Sequence, residues 1–303
     1  MAAFKKAIHF FEYAAIRLVG GCLSLLPISF VLALARPVGI ILFLSLKHYR
    51  QKALDNLRHA LPEKSEPEIQ RIARDSFIYL AEFGVEWLYM SRIAKRPERY
   101  LGIKGVEKIH TVLKEGKGAL LLVTHGGNWE VAALIAGFLI ARPVHRVIYA
   151  LARPLRNFYL YDYSLRLRGL TGLKSIPKVG AVRQTFKRLK ENAVVATLID
   201  QRVSEGSVEV NFFGRPALTT SLPALVALRL GTPIFLVLTR RTPDFRFVMQ
   251  VEGPIPIQVS EDLERDIQEN TQAFNNKLEV EIRKNPAHWL WMHNRWRIPH
   301  GAK

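Results

Sequence analysis

A chain of 303 residues, 49 % of them apolar, can bury a substantial core as one large domain or two small ones. Its 44 Lys and Arg against 26 Asp and Glu leave a formal charge of +18, which points to polyanionic partners: anionic lipid, an acidic protein or nucleic acid. A single cysteine, Cys22, excludes a disulfide framework and a cysteine-bound metal, and neither zinc-finger spacing nor a detached arginine-rich tail speaks for nucleic acid.

From Leu18 to Ala35 no charge occurs for 18 positions, and a second charge-free run extends from Val38 to Leu46. That approaches the length needed to cross a bilayer. Pro27 within the first run and Arg36-Pro37 between the two leave room for a broken or re-entrant helix. Residues 1–46 therefore read as a membrane anchor of open depth, ahead of one catalytic domain over residues 47–303. Lys47, Arg50, Lys52 and Arg58 follow the anchor, whereas Lys5, Lys6 and Arg17 precede it beside Glu12. This balance turns the catalytic part toward the cytoplasm.

Beyond the anchor, a helix is expected over residues 46–61, and Ser65-Glu-Pro-Glu68 is a capping box for another that runs through Ile69, Ile72, Phe77, Leu80 and Leu88. Strands are expected near 118–124, 145–151, 193–199, 208–213, 234–239 and 246–252. Helical stretches separate them near 130–140, 155–168, 180–191 and 218–230, and a long amphipathic helix runs from Ser260 to about Lys284, where Pro286 ends it. The alternation predicts an α/β fold: a mixed, largely parallel central sheet flanked by helices, with the N-terminal apolar anchor helix attached.

The chemistry concentrates at His125-Gly-Gly-Asn-Trp-Glu130, between the apolar run Gly118–Thr124 and a helix that begins near Val131. His125 belongs in the turn and Glu130 in the first helical turn, because positions five apart on one continuous helix point away from each other. Gly126 and Gly127 permit a sharp turn, and Asn128 is an N-cap candidate. A neutral imidazole can take the proton from a hydroxyl as it attacks a carbonyl, while a neighbouring carboxylate fixes the tautomer. His125 is thus the candidate base and Glu130 the candidate orienting acid.

Three further blocks accompany the motif. They are Arg153-Pro154 followed by Arg166-Leu-Arg168 and Gly172, then Asp200-Gln201 leading into Phe212-Phe213-Gly214, and last Pro286-Ala-His-Trp-Leu-Trp-Met-His293-Asn-Arg295-Trp-Arg297. Together with the His-x-x-x-x-Glu motif, and over about Leu46 to Pro299, they resemble the bacterial lipid A late acyltransferases, the lauroyl and myristoyl transferases of the glycerolipid acyltransferase superfamily. The resemblance implies transfer of an acyl chain from an acyl carrier protein thioester to a hydroxyl of a lipid A precursor at the inner membrane. It assigns His125 and Glu130 as a catalytic dyad and adds Arg168, Asp200, Arg153 and Asn128 as substrate contacts. Arg168 would stabilise an oxyanion or an acceptor phosphate, and Asp200 would orient a basic group or the acceptor. No metal or cofactor is called for, since the thioester supplies the driving force, and no nucleic acid is expected.

The segment after Asp200-Gln201, Arg202-Val-Ser-Glu-Gly206, departs from the commoner form of that family and leaves the acceptor open. A phosphatidylinositol mannoside, an ornithine lipid or a lysophospholipid, with acyl-CoA as donor, fits the same chemistry. A noncatalytic basic membrane-binding protein is the reading from another class. Between Leu151 and Lys190, ten Lys or Arg face one acid, Asp162, a balance suited to an anionic glycolipid and to membrane headgroups. The aromatic and cationic C-terminal block suits either a membrane interface or a place beside the catalytic groove.

Overall fold

A computed structural model describes residues 2–152, 155–177 and 179–296. In chain order the helices are α1 (Ala2–Leu23), α2 (Ile28–Ser45), α3 (Lys47–Ala60), α4 (Glu66–Leu88), α5 (Met90–Lys95), α6 (Pro97–Tyr100), α7 (Val106–Lys114), α8 (Trp129–Ile135), α9 (Phe158–Gly169), α10 (Ala181–Lys190), α11 (Leu222–Leu230) and α12 (Leu263–Lys284). The strands are β1 (Leu101–Lys104), β2 (Ala119–Val123), β3 (Ile148–Ala152), β4 (Lys174–Pro177), β5 (Val194–Leu198), β6 (Ser207–Phe212), β7 (Arg215–Thr220), β8 (Ile234–Arg241) and β9 (Phe247–Glu252).

Seven strands form one sheet in the order β1-β9-β8-β2-β5-β3-β4, and β6 and β7 form a separate antiparallel hairpin. Only the β8–β9 pairing in the large sheet is antiparallel, so the sheet is mixed and largely parallel, as its alternating pattern predicts. Burial follows the period of two along the central strands. Leu120 and Leu122 of β2 enter a core shared with α3, α4, α11 and α12, while Ala119 and Leu121 enter the opposite core, shared with α7, α8 and α9.

The first apolar run is not one helix. Leu18–Leu23 belong to α1 and Ile28–Ala35 to α2, with Pro27 at the α2 N-cap, whereas Pro37 lies inside a continuous α2. Of these two helices only α2 is both long and apolar enough to cross a membrane. One face of α2, Val31, Leu32, Ala35, Gly39 and Phe43, is buried. A Cβ on Gly39 would stand 2.3 Å from the Ile78 Cα, so α2 meets α4 backbone to backbone. The other face is bare: Phe30 is 53 % and Ile41 59 % exposed. α1 sits on α9 instead, where Asn157 Nδ2 donates to the His9 carbonyl at 2.8 Å and to Glu12 Oε2 at 2.8 Å, and the Arg17 guanidinium lies 4.5 Å from the Tyr163 ring centre.

β1, α7, β4 and β7 were not expected from the sequence, and the expected helix over 218–230 starts only at Leu222. β7 carries the expected helix's first residues because Thr219 and Thr220 pair with Val208 and Ser207.

Candidate active site

β2 and β5 are parallel neighbours with Val123 opposite Leu198. Two residues beyond that pair in each strand come His125 and Asp200, so the register itself brings them together at the carboxyl ends of the strands, where open α/β sheets bind ligands. His125 Nδ1 lies 2.7 Å from Asp200 Oδ1. The other carboxylate oxygen accepts from the His125 amide at 2.6 Å, from Thr124 Oγ1 at 2.7 Å and from the Trp289 indole at 2.8 Å.

Burial would raise the Asp200 carboxyl, but the His125 charge and these hydrogen bonds outweigh it and hold the group well below the usual carboxylate range. The Asp200 side chain is fully buried, and that of His125 keeps 11 % exposure. Asp200 thus engages Nδ1 of the imidazole.

Glu130 is elsewhere. Both its oxygens are taken by Arg168, with Nε donating at 2.9 Å and Nη2 at 2.5 Å, a two-pronged ion pair that ties α8 to α9. This pairing lifts the Arg168 guanidinium further against the cost of burial. Asp200, which follows the strand beside His125, is the acid in contact with the imidazole, whereas Glu130 projects from the following helix toward α9. Arg168 spends Nε and Nη2 on Glu130.

Asn128 is likewise engaged. Its Oδ1 caps α8 by accepting from the Glu130 and Val131 amides at 3.1 and 2.9 Å, and its Nδ2 donates to Glu86 at 2.6 Å. Arg153 lies outside the described residues.

Gly127 has φ of 84°, and a Cβ there would fall 2.0 Å from the Thr239 carbonyl, so the turn needs glycine at this position. Its amide donates to the His288 carbonyl at 3.1 Å, and that of Gly126 donates to Thr124 Oγ1 at 3.0 Å. The amides of residues 125–127 thus all serve the turn and offer no cradle for an oxyanion.

The C-terminal block is largely internal: Trp289 and Trp291 are buried, as is the cation Arg295, and Trp289 completes the Asp200 shell. Of the two places that the block's alternation of aromatics with cations suits, a membrane interface or a position beside the groove, the fold shows the second for Trp289, which packs on Asp200. Arg295 is held by the Leu218 carbonyl at 2.7 Å, Thr219 Oγ1 at 2.5 Å and Asn275 Oδ1 at 3.1 Å, with Phe212 beneath it. Burial lowers it to about 10. His293, lowered to about 4 by burial and by the His125 charge, is neutral beside the site.

His125 opens into a cleft of about 520 Å³ lined by Leu151, Leu198, Val203, Leu222, Gln201 and Arg202 among others. On the α8 side a small apolar cavity of about 60 Å³ lies among Leu121, Ala132, Ala136, Val237 and Met249, with Glu130 and Arg168 in its wall.

Comparison with known proteins places the chain in a family. The family model described as bacterial lipid A biosynthesis acyltransferase matches residues 1–298. A phosphatidylinositol mannoside acyltransferase of Mycobacterium tuberculosis is 26 % identical over 212 residues, 68 % of this chain but only 62 % of that protein's length. A lipid A biosynthesis acyltransferase of Haemophilus influenzae is 24 % identical over 281 residues, covering 89 % of this chain and 82 % of its own. A lipid A biosynthesis palmitoleoyltransferase of Escherichia coli is 22 % identical over 274 residues, with 88 % and 82 % covered. With a family model matched along nearly its whole length, the chain belongs to the bacterial lipid A biosynthesis acyltransferase family.

Proposed function

We propose that this protein is a membrane-attached O-acyltransferase in which His125 is the general base and Asp200 its orienting partner. The observation that carries the reading is the His125 Nδ1 to Asp200 contact of 2.7 Å at the head of a largely apolar cleft. His125 Nε2 takes the proton of the acceptor hydroxyl as its oxygen attacks the thioester carbonyl. The tetrahedral intermediate then collapses, the C–S bond breaks, and the imidazolium returns the proton to the departing thiolate. Asp200 stabilises the imidazolium between these two transfers.

The donor is an acyl-thioester on acyl carrier protein, with acyl-CoA as the other source of the same group. The acceptor is a hydroxyl of a lipid A precursor. The net charge of +18 draws both an acidic carrier and an anionic glycolipid. Residues 1–46 seat the chain on the inner membrane with the catalytic part toward the cytoplasm, through the bare apolar faces of α1 and α2, on which Phe11 and Leu18 are each 70 % exposed. A second acceptor, a phosphatidylinositol mannoside, is favoured by the mycobacterial relative, which matches at somewhat higher identity over a shorter stretch.

Mass spectrometry of lipid A and total phospholipids, from cells carrying this chain or its His125→Ala variant, tests the reading. A gain of one acyl mass on lipid A that the variant lacks supports it. The same gain on another lipid moves the acceptor and keeps the chemistry, and no gain on any lipid overturns the enzyme reading.

A further inference from the structure

Three side chains of α4, Tyr79, Phe83 and Glu86, fall on one face of that helix and meet the catalytic turn at successive points. The Tyr79 ring stacks on His288 at 4.4 Å, and the His288 carbonyl holds the Gly127 amide. Phe83 stacks on Trp129 at 4.2 Å, and the Trp129 ring stands edge-on to His125 at 4.8 Å. Glu86 Oε2 accepts from Asn128 Nδ2 at 2.6 Å. One helix face thus bears on Gly127, Asn128 and Trp129, directly or through one intermediate ring.

The Glu86 contact is the polar one and the most constrained. Glu86 is 1 % exposed, and its second oxygen accepts from Arg241 Nη1 at 2.8 Å, while Arg241 Nη2 reaches Glu82 at 2.6 Å. The Asn128 amide has one orientation that satisfies both sides, with oxygen toward two helix amides and nitrogen toward a carboxyl. A buried ionisable pair adds little net stability compared with an apolar pair of the same shape. Capping α8 requires only Asn128 Oδ1, so the link to Glu86 does something beyond capping.

We infer that Glu86 is a positioning residue for acyl transfer, acting through Asn128 to hold the His125–Trp129 turn in register with Asp200. The inference rests on the reading of His125 as the base. Without Glu86 the cap survives and the turn gains freedom, and a displacement of about 1 Å at a base lowers turnover by roughly 100-fold.

The test is steady-state kinetics on the full-length, membrane-extracted protein, with rates normalised to folded enzyme by its thermal transition. Glu86→Ala is expected to lower kcat roughly 10- to 100-fold with KM for either substrate changed less than about threefold. Glu86→Gln, whose amide oxygen still accepts from Asn128, is expected to recover most of that loss. Asn128→Ser keeps a cap oxygen but cannot reach Glu86, so it should match Glu86→Ala, and the double variant should be no slower than either single.

Should Glu86→Ala fail to fold, the contrast between Glu86→Gln and Asn128→Ser still decides. Wild-type kcat in Glu86→Ala or in Asn128→Ser, or losses that simply multiply in the double variant, would overturn the assignment. His125→Ala is measured in parallel: full activity there sinks the base reading itself, while its inactivity alongside an unimpaired Glu86→Ala sinks only the role given to Glu86.

Discussion

His125 and Asp200 face each other because two parallel strands end in step, and the carboxylate is surrounded by four donors that leave it no reason to move. Asp200→Asn should keep the geometry while disturbing the tautomer, and a loss of about 10³- to 10⁴-fold in kcat is expected, by analogy with the acid of a serine protease triad. Glu130→Gln should lose less, since it touches the Arg168 pair and not the imidazole. Activity assays in which Glu130→Gln is the more damaged of the two would restore Glu130 as the partner of His125. The motif made His125 and Glu130 legible in the sequence, and the resemblance added Asp200 as orienting a basic group or the acceptor, but not that Asp200 is the acid in contact with the imidazole. Glu130 is close in the chain, whereas Asp200 is brought near by strand pairing across 75 positions, a relation that local spacing does not contain. Trp289 is hidden for the same reason, because its indole proton finds Asp200 only once the C-terminal wall is folded.

At the scale of elements, the long apolar or strongly amphipathic segments were readable and the short polar ones were not. β2 and β5 are continuous apolar runs, and α4 announces itself by its capping box, which forms as expected between Ser65 and Glu68. β4, Lys-Ser-Ile-Pro, is four residues long at the sheet edge and has little to distinguish it from a loop until Ile176 packs into the core. α4 also carries a pH signature. Burial, aided by the charge of Glu82 and opposed by Arg241 and the Asn128 hydrogen bond, raises Glu86 from the usual 4.5 to about 7. A folded state that binds the extra proton is favoured below the ordinary value and loses that advantage as pH rises through about 7. Thermal midpoints should therefore fall across this window in the wild type and flatten in Glu86→Gln. An unchanged slope in the variant would assign the dependence to another group.

Across the whole molecule, most of the exposed large apolar side chains among the described residues belong to the N-terminal segment up to Leu46. α2 buries one face on α4 and leaves Phe30, Leu34 and Ile41 bare. Replacing Phe30 and Ile41 together by Asp should weaken cosedimentation with anionic vesicles by more than tenfold, since each loses an apolar contact and adds repulsion. Retained binding would shift the membrane seat to the cationic surface alone. The enclosure of Asp200 also has a kinetic corollary. Because Nδ1 cannot leave its carboxylate, a single nitrogen must both receive the proton of one substrate and return it to the sulfur of the other. Thr124, whose hydroxyl already serves Asp200 and the Gly126 amide, is not free to carry the acyl group in between. With direct transfer, as proposed, both substrates are bound together before any product leaves, so double-reciprocal plots at several fixed acceptor concentrations should intersect instead of running parallel.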